Sequence, residues 1–409
     1  MIMDTRHAKG GILFLSATLG AGHHSAAVAI GEALRRMAPE VPTREVDYFD
    51  YVNRSFNHLV RQAYIFSVRH WPWAYEAFYR STGQIAPHSA FQRFLNTLGR
   101  REIERLVGDE DPRAVVSTFP TPAGVVSALR EMGRTDAPSM AVITDYTVHS
   151  QWLHEGIDRF YVGTEEMAEE MAGRGIPRAK ILVSGIPVHP AFADPVDAEA
   201  VRRRFGIGDG PVILLMAGAY GMISGFADVV GVLAEKGPAA TYVSIAGHDA
   251  QLKAAVDQVA QRGGHPVVSL GYTDEVAQLM GVADVLVSKA GGLTTSEAMA
   301  RGLPMAIFRP IPGQEMVNTG RILDAGAGFR APTTDDLVDG LRAVMAPGGA
   351  LAGMAERARS LGRPRSSYDI ARDILEHASR GTLGSALGNE GRPSGRRRMP
   401  GRGNPPARP

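Results

Sequence analysis

The strongest indication of the fold of this 409-residue chain comes from residues 281–318, which read GVADVLVSKAGGLTTSEAMARGLPMAIFRPIPGQEMVN. The run 284–288 (DVLVS) is short and rich in β-branched residues, which favours a parallel strand covered on both faces. A glycine turn follows, then a helix predicted over 294–301 and a second strand over 305–308. This succession predicts one unit of a doubly wound parallel sheet, the α/β class.

The turn formed by Ala290, Gly291 and Gly292 predicts a phosphate site. Glycines leave the backbone bare, and the start of a helix offers unpaired N–H groups and the positive end of the helix dipole. A second interpretation stays open, because Thr294 and Glu297 have the spacing of a capping box.

Polar side chains also follow the second strand of this segment. Gln314, Glu315 and Asn318 come after residues 305–308, and ligands of open α/β sheets bind at the carboxyl ends of strands. We therefore include all three in a nucleotide diphosphate site.

Composition limits the function classes. A chain with no cysteine has no disulfide, no thiolate nucleophile and no cysteine-bound metal, and it fits a reducing compartment. No apolar run approaches the roughly 18 residues of a membrane span, and no secretory signal pattern is found. We expect a cytoplasmic protein that is soluble or peripheral on a membrane, and no metal or cofactor.

Two domains and a tail are predicted from length and strand pattern. Strands over 11–16, 41–47, 113–117, 139–144, 159–162 and 180–184 form the first Rossmann-like domain, residues 1–195. Strands over 212–217, 241–246, 267–270, 284–288 and 305–308 form the second, residues 196–379, whose last helix could cross back. The two domains should face each other across a cleft. Residues 380–409 carry seven Arg and one Glu, and this Gly- and Pro-rich composition predicts a disordered basic tail.

The turn after the first strand points to acid–base chemistry. Residues 19–30, LGAGHHSAAVAI, place Gly22 and His23 there, in a spacing that departs from the dinucleotide fingerprint. A histidine at a strand end is well placed as a general base, or it is simply bonded to the turn. Asp145 ends another strand, where it could orient His23 or a substrate hydroxyl, or serve as an ordinary turn residue.

Further glycines follow other strands of the second domain. Gly218 and Gly221 come after strand 212–217, and Gly271 with Tyr272 after strand 267–270. Such positions let a backbone approach a ligand closely.

Residues 48–94 hold 13 of the 28 aromatic residues, together with Arg but no Lys. Arg69, Trp71, Trp73 and Arg80 suit docking to an anionic membrane surface, where aromatic rings lie among head groups. The alternative is a helical subdomain with its own aromatic core. Nucleic acid is a weaker option, and we expect none as a partner.

Seven motifs together resemble one known family. They are GAGHHSAA at 20–27, STFPT at 117–121, TDYTVHSQW at 144–152, SGIPV at 184–188, GYTDEVAQLM at 271–280, SKAGGLTTSEA at 288–298 and PIPGQEMVN at 310–318. Over about residues 11–345 the chain resembles monogalactosyldiacylglycerol synthases and processive diacylglycerol glucosyltransferases, which are family 28-like glycosyltransferases of the GT-B fold.

The resemblance implies an inverting hexosyltransferase that moves glucose or galactose from a UDP-hexose to diacylglycerol without a metal. His23 matches the histidine expected as general base. Four residues match the donor diphosphate loop: Gly291, Gly292, Leu293 and Thr294. Glu297 matches the acid that is expected at the uridine ribose. Gln314 and Glu315 match the residues that are expected at the sugar hydroxyls. Ala290 replaces the usual proline.

Three rivals remain open at this point. One is a UDP-N-acetylhexosamine epimerase, which needs no acceptor. Another is a UDP-sugar glycosyltransferase with a soluble acceptor, and the third is a nucleotide-binding protein without catalysis. The sequence does not separate glucose from galactose, since one hydroxyl orientation distinguishes them.

Overall fold

Two six-stranded parallel sheets make up the computed structural model, which describes residues 10–17, 22–52, 97, 99–218, 223 and 225–388. Each strand is short, the inner strands are mostly apolar, and helices cover both faces of each sheet, as parallel sheets require. The sequence prediction of two Rossmann-like units is confirmed.

The first sheet has the order β2-β1-β3-β4-β5-β6. Its strands are β1 (Ile12–Ser16), β2 (Thr43–Asp47), β3 (Ala114–Ser117), β4 (Ser139–Val142), β5 (Arg159–Val162) and β6 (Ile181–Val183). The helices around it are α1 (Gly22–Met37), α2 (Arg100–Glu110), α3 (Pro120–Glu131) and α4 (Glu165–Gly173). All five residues of β1 are buried, because β1 lies inside the sheet between β2 and β3.

The second sheet has the order β12-β11-β10-β7-β8-β9. Its strands are β7 (Val212–Met216), β8 (Thr241–Ile245), β9 (Val267–Leu270), β10 (Val285–Ser288), β11 (Met305–Phe308) and β12 (Gly328–Ala331). Its helices are α5 (Ala198–Phe205), α6 (Phe226–Lys236), α7 (Ala250–Ala260), α8 (Val276–Val282), α9 (Gly292–Arg301), α10 (Gln314–Asp324), α11 (Thr334–Met345) and α12 (Leu351–Leu361).

Both sheets have a point where the strand order reverses direction. The first sheet reverses between β1 and β3, and the second between β7 and β10. Connections leave such neighbouring strands in opposite directions, and the crevice that this opens is where open α/β sheets bind ligands. The topology therefore marks two crevice positions, one on each sheet.

The last helix, α13 (Ser366–Gly388), returns to the first sheet. Ile370, Ala371 and Ile374 are fully buried in one cluster with residues of β1 and α1. A two-pronged ion pair fixes this helix, since Arg159 donates from Nε and Nη2 to Asp373 over 2.9 and 3.0 Å. The chain thus passes between the sheets twice.

Most predicted elements agree with the structure. β11 covers the residues that the sequence predicted, whereas the edge strand β12 was missed. The backbone of α13 continues to Gly388, so the tail predicted from residue 380 begins as helix, and residues 389–409 lie outside the described part. The domain division at 195 and 379 stays a prediction.

Candidate active site

His23 lies at the reversal point of the first sheet. It is the second residue of α1, directly beyond β1, and its ring meets the residues that follow β3. Its Nδ1 is 2.7 Å from the carbonyl oxygen of Thr118 and 3.0 Å from Oγ1 of Thr144. The Phe119 ring packs edge-on against the imidazole, with centroids 4.9 Å apart.

These contacts decide which nitrogen can act as a base. A carbonyl oxygen only accepts hydrogen bonds, so the proton lies on Nδ1 and Nε2 keeps its lone pair. Burial lowers the pKa of His23 to about 4, and the bond to Thr118 offsets part of that effect. The ring is therefore neutral at neutral pH, with Nε2 ready to accept a proton.

The neighbouring His24 points elsewhere. It is exposed, and its Nδ1 is 2.7 Å from the Glu45 carboxylate, which raises the pKa of His24. Of the two adjacent histidines, His23 is the one held within the protein, so the geometry separates two residues that sequence spacing left side by side.

Asp145 follows β4, one residue beyond the Thr144 that contacts His23. Burial raises the pKa of Asp145 to about 7, and the negative charge of Glu315 adds to this effect. A hydrogen bond from Asn318 and the charge of Lys289 act in the opposite direction. Lys289 follows β10, and Glu315 and Asn318 lie in α10 beside the second sheet, so Asp145 lies where the two halves of the chain meet.

The glycine turn after β10 leads into α9 without a side-chain cap. Gly291 is the N-cap residue, so α9 begins at Gly292 and Thr294 is its third residue. The capping box considered for Thr294 and Glu297 is therefore wrong, because the helix starts three residues too early for it. A glycine cap leaves the first N–H groups of α9 to an outside acceptor, as a phosphate site requires.

Gly292 has a second role that the sequence did not reveal. A Cβ atom here would lie 2.4 Å from the carbonyl oxygen of Thr144 and 2.9 Å from Oδ1 of Asp145. Only glycine permits this approach of α9 to the end of β4. The contact brings the helix start and the His23 neighbourhood together across the two sheets.

Lys289 and Glu315 form a buried ion pair beside the turn. The other carboxylate oxygen of Glu315 accepts from the backbone N–H of Ile311 at 2.7 Å. Asn318 is fully buried, and its Nδ2 donates to the carbonyl of Ala290 at 2.8 Å, so its amide holds the turn in shape. The Lys289 ammonium group therefore lies next to the start of α9, paired with the Glu315 carboxylate.

Glu297 is the unpaired acid of this site. It lies in the second turn of α9, burial alone raises its pKa to about 8, and it has no hydrogen-bond partner among the residues that the structure describes. Leu293 and Thr294 are half-buried in the first turn of α9, and Gln314 is half-buried at the start of α10. The predicted contacts of Glu297 and these three residues with the UDP-sugar stay predictions.

The other predicted glycines lie along the same edge of the second sheet. Gly218 follows β7 with φ +80°, a conformation that favours glycine, and Lys289 Cε is 3.5 Å from where its Cβ would be. Gly271 and Tyr272 follow β9 at the far end of the sheet. Tyr272 is 59% exposed and stacks on His248 with ring centroids 4.2 Å apart.

Some predicted residues lie outside the described part of the chain. They are Gly221 and the proposed membrane-docking residues Arg69, Trp71, Trp73 and Arg80. Gly22 is described, as the first residue of α1.

Two residues of the site escaped the sequence prediction. Lys289 precedes the glycine turn directly, and a cation at a strand end beside a phosphate turn was an available signal. Thr118 contacts His23 through its backbone carbonyl. Every residue has this group, so the sequence does not indicate the contact.

Solved structures with this arrangement define the fold class. The chain superposes on S. aureus MnaA in its structure with UDP at a TM-score of 0.61 and 12% identity, over 89% of this chain and 96% of that one. MurG of Acinetobacter baumannii gives a TM-score of 0.54 and 14% identity, over 90% and 99%. Both support the two-domain GT-B fold.

Sequence comparison then gives the family. Residues 23–188 match the family model of monogalactosyldiacylglycerol (MGDG) synthase, and residues 217–365 match the glycosyltransferase family 28 C-terminal domain. A processive diacylglycerol beta-glucosyltransferase of Staphylococcus carnosus is 30% identical over 92% of this chain and 95% of its own length. One from Bacillus subtilis is 26% identical over 90% and 95%. The chain belongs to this monogalactosyldiacylglycerol synthase family of glycosyltransferases.

Proposed function

We propose that this protein transfers a hexose from a UDP-sugar to the free hydroxyl of diacylglycerol, with inversion at the anomeric carbon. Family membership supports the donor, the acceptor and the reaction class. One observation carries the mechanism: His23, Thr144 and Gly292 form an unbroken line of contacts from the proposed base to the phosphate turn.

His23 would act as the general base. Its Nε2 accepts the proton of the acceptor hydroxyl while that oxygen attacks the anomeric carbon from the face opposite UDP. Thr118 and Thr144 hold Nδ1 and fix the plane of the ring. A bound diphosphate adds negative charge nearby, which would raise the pKa of His23 from about 4 towards a more useful value.

The second domain would stabilise the leaving group. As the bond from the anomeric carbon to the diphosphate oxygen breaks, negative charge grows on UDP. The uncapped start of α9 offers compensating positive charge, and the Lys289 ammonium group lies beside it in its ion pair with Glu315.

The uridine end of the donor would lie towards the outer strands. β9 is three strands from β10, a distance of about 14 Å at the usual strand spacing. The exposed Tyr272 offers a flat ring for a base there, and Glu297 offers an unpaired carboxyl group for the ribose hydroxyls.

We further propose that the enzyme works at the cytoplasmic face of the membrane as a peripheral protein. Among the helices that the structure describes, none has the length and apolar character to cross a bilayer. Diacylglycerol stays in the membrane, so the enzyme must reach it there. The aromatic and Arg-rich residues 48–94 are the proposed docking segment.

Transfer of radiolabel tests this function. UDP-glucose and UDP-galactose, each labelled in the sugar, are incubated with the enzyme and anionic liposomes, with and without diacylglycerol. We expect label in a lipid product only when diacylglycerol is present, and the more efficient donor names the sugar.

Two outcomes would contradict the proposal. Interconversion of UDP-sugars without an acceptor would favour the UDP-N-acetylhexosamine epimerase. Transfer to a soluble hydroxyl compound with no lipid product would favour a soluble acceptor.

A further inference from the structure

A cavity lies between the two sheets, and neither the residues of the glycine turn nor His23 line it. Its volume is about 320 Å³, at the lower end of the range for small-molecule sites. Its lining residues include Tyr146, Gly185, Ser296, Arg321, Ser360 and Arg363. The first two come from the first sheet and the other four from the second half of the chain.

Two guanidinium groups of this cavity form no ion pair within the part of the chain that the structure describes. Arg321 lies over the Tyr146 ring, 5.1 Å from its centroid, and the stem of Arg363 rests on Gly185. Neither side chain donates a hydrogen bond or forms an ion pair within the described chain. Unpaired arginines in one cavity are suited to an oxyanion, above all to a phosphate group.

The acids of the cavity are already engaged. Glu165 forms an ion pair with Arg178 at 2.8 Å, outside the cavity. The carboxylate of Glu166 bonds to Thr164 at the start of its own helix, α4. The charge of Arg321 also acts on Glu166, whereas Arg363 is exposed and has no acidic partner among the described residues, so its charge is available to a ligand.

Hydroxyl groups complete the site and link it to both domains. Tyr146 and Ser296 share a hydrogen bond of 2.8 Å across the domain boundary. Gly163 makes room for the Tyr146 ring, because a Cβ there would lie 3.0 Å from ring atoms. A ligand next to this pair would contact the first and the second domain at once.

The cavity also adjoins both crossings of the chain between the sheets. Residues 185–186 lie on the first crossing and residues 361–363 on the second. Ser366 ties the crossings together, since its Oγ donates to the Ile186 carbonyl at 3.0 Å and accepts from the Val188 N–H at 3.1 Å. A ligand in this cavity would therefore lie beside both crossings of the chain between the sheets.

We propose that this cavity binds a small, soluble phosphate monoester between Arg321 and Arg363. The site is distinct from the donor site, so the same protein would hold UDP and this ligand together. The volume of about 320 Å³ suits a small phosphate monoester.

Calorimetric titration with glycerol 3-phosphate, and in parallel with inorganic phosphate, tests the proposal. Every titration contains saturating UDP, so that the phosphate turn at α9 is already filled. We expect binding to the unmodified protein and a loss of about tenfold or more in Arg321→Gln and in Arg363→Gln. Arg365→Gln is the matched control, because Arg365 lies over Tyr368 in the same loop and does not line the cavity.

UDP affinity is measured for each variant to show that it is folded, and this readout does not depend on the transfer reaction. No binding of either phosphate to the UDP-loaded protein would overturn the proposal. So would equal losses in Arg365→Gln. Displacement of glycerol 3-phosphate by vesicles of phosphatidylglycerol would overturn the assignment to a soluble ligand.

Discussion

At the residue scale, the environment of one nitrogen atom carries the mechanism. Thr118 and Thr144 occupy Nδ1 of His23, and Nε2 remains the basic atom. Removing the imidazole removes the base without touching the phosphate turn.

We expect His23→Ala to lower kcat about 10²- to 10⁴-fold, the usual contribution of general base catalysis, while UDP affinity stays nearly unchanged. Steady-state transfer kinetics and calorimetric titration with UDP measure the two effects. His24→Ala is the control and should retain activity within about twofold, because His24 is exposed and bonded to Glu45. Loss of UDP binding in His23→Ala would argue against the role.

The raised pKa of Asp145 has a consequence for stability. Its folded-state pKa is about 7, above the ordinary value of 3.8, so the folded protein binds the proton more tightly. The stability that this proton provides is present below pH 3.8 and is lost as the pH rises to about 7.

We therefore expect the free energy of unfolding of Asp145→Asn to depend less on pH than that of the unmodified protein between pH 4 and 7. One proton limits the difference in slope to about 1.4 kcal/mol per pH unit. Urea unfolding without ligand, at a series of pH values, measures it. Identical slopes for the two proteins would show that Asp145 titrates normally.

At the level of secondary structure, the start of α9 has two roles. It presents free N–H groups for a phosphate, and it packs through Gly292 against the end of β4. The two glycines of the turn therefore differ in what they tolerate.

Gly292→Ala should destabilise the protein by about 1–3 kcal/mol, since the new methyl group overlaps the Thr144 carbonyl. Gly291→Ala is the control: its φ of −66° suits alanine and its nearest neighbours are 3.8 Å away. Urea unfolding compares the two. Equal stability of both variants would mean that the two domains do not meet at Gly292.

The sequence patterns predicted where strands and helices lie in the chain better than they predicted which of these elements contact each other. β11 is a run of four apolar residues between breakers, and its limits were found without error. β12 reads GFRA, with a glycine and an exposed arginine at the edge of the sheet, so its period-two signal is too short to detect. The role of Gly292 was not predictable, because it depends on how one domain lies against the other.

At the scale of the whole molecule, α13 joins the end of the chain to the first sheet. Its apolar face is buried with α1, and the Arg159–Asp373 ion pair fixes its position. Both partners are mostly buried, with side chains 16% and 13% exposed.

Asp373→Asn should lower the free energy of unfolding by about 2–4 kcal/mol, because it leaves a largely buried guanidinium without its carboxylate. Asp369→Asn on the same helix is the control and should cost below about 1 kcal/mol, since its pair with Arg372 is exposed. Hydrogen exchange of α13 should accelerate in the first variant only. Unchanged exchange in Asp373→Asn would show that the apolar face alone holds the helix.

The anomeric configuration of the product shows whether the transfer inverts the anomeric carbon and whether it depends on His23. The enzyme is given UDP-glucose and UDP-galactose, both α-linked, with diacylglycerol in anionic liposomes, and the purified lipid product is examined by proton NMR. We expect a β-linked hexosyl diacylglycerol from the unmodified enzyme and almost none from His23→Ala. An α-linked product, or no lipid product from either donor, would contradict an inverting transfer with His23 as the base.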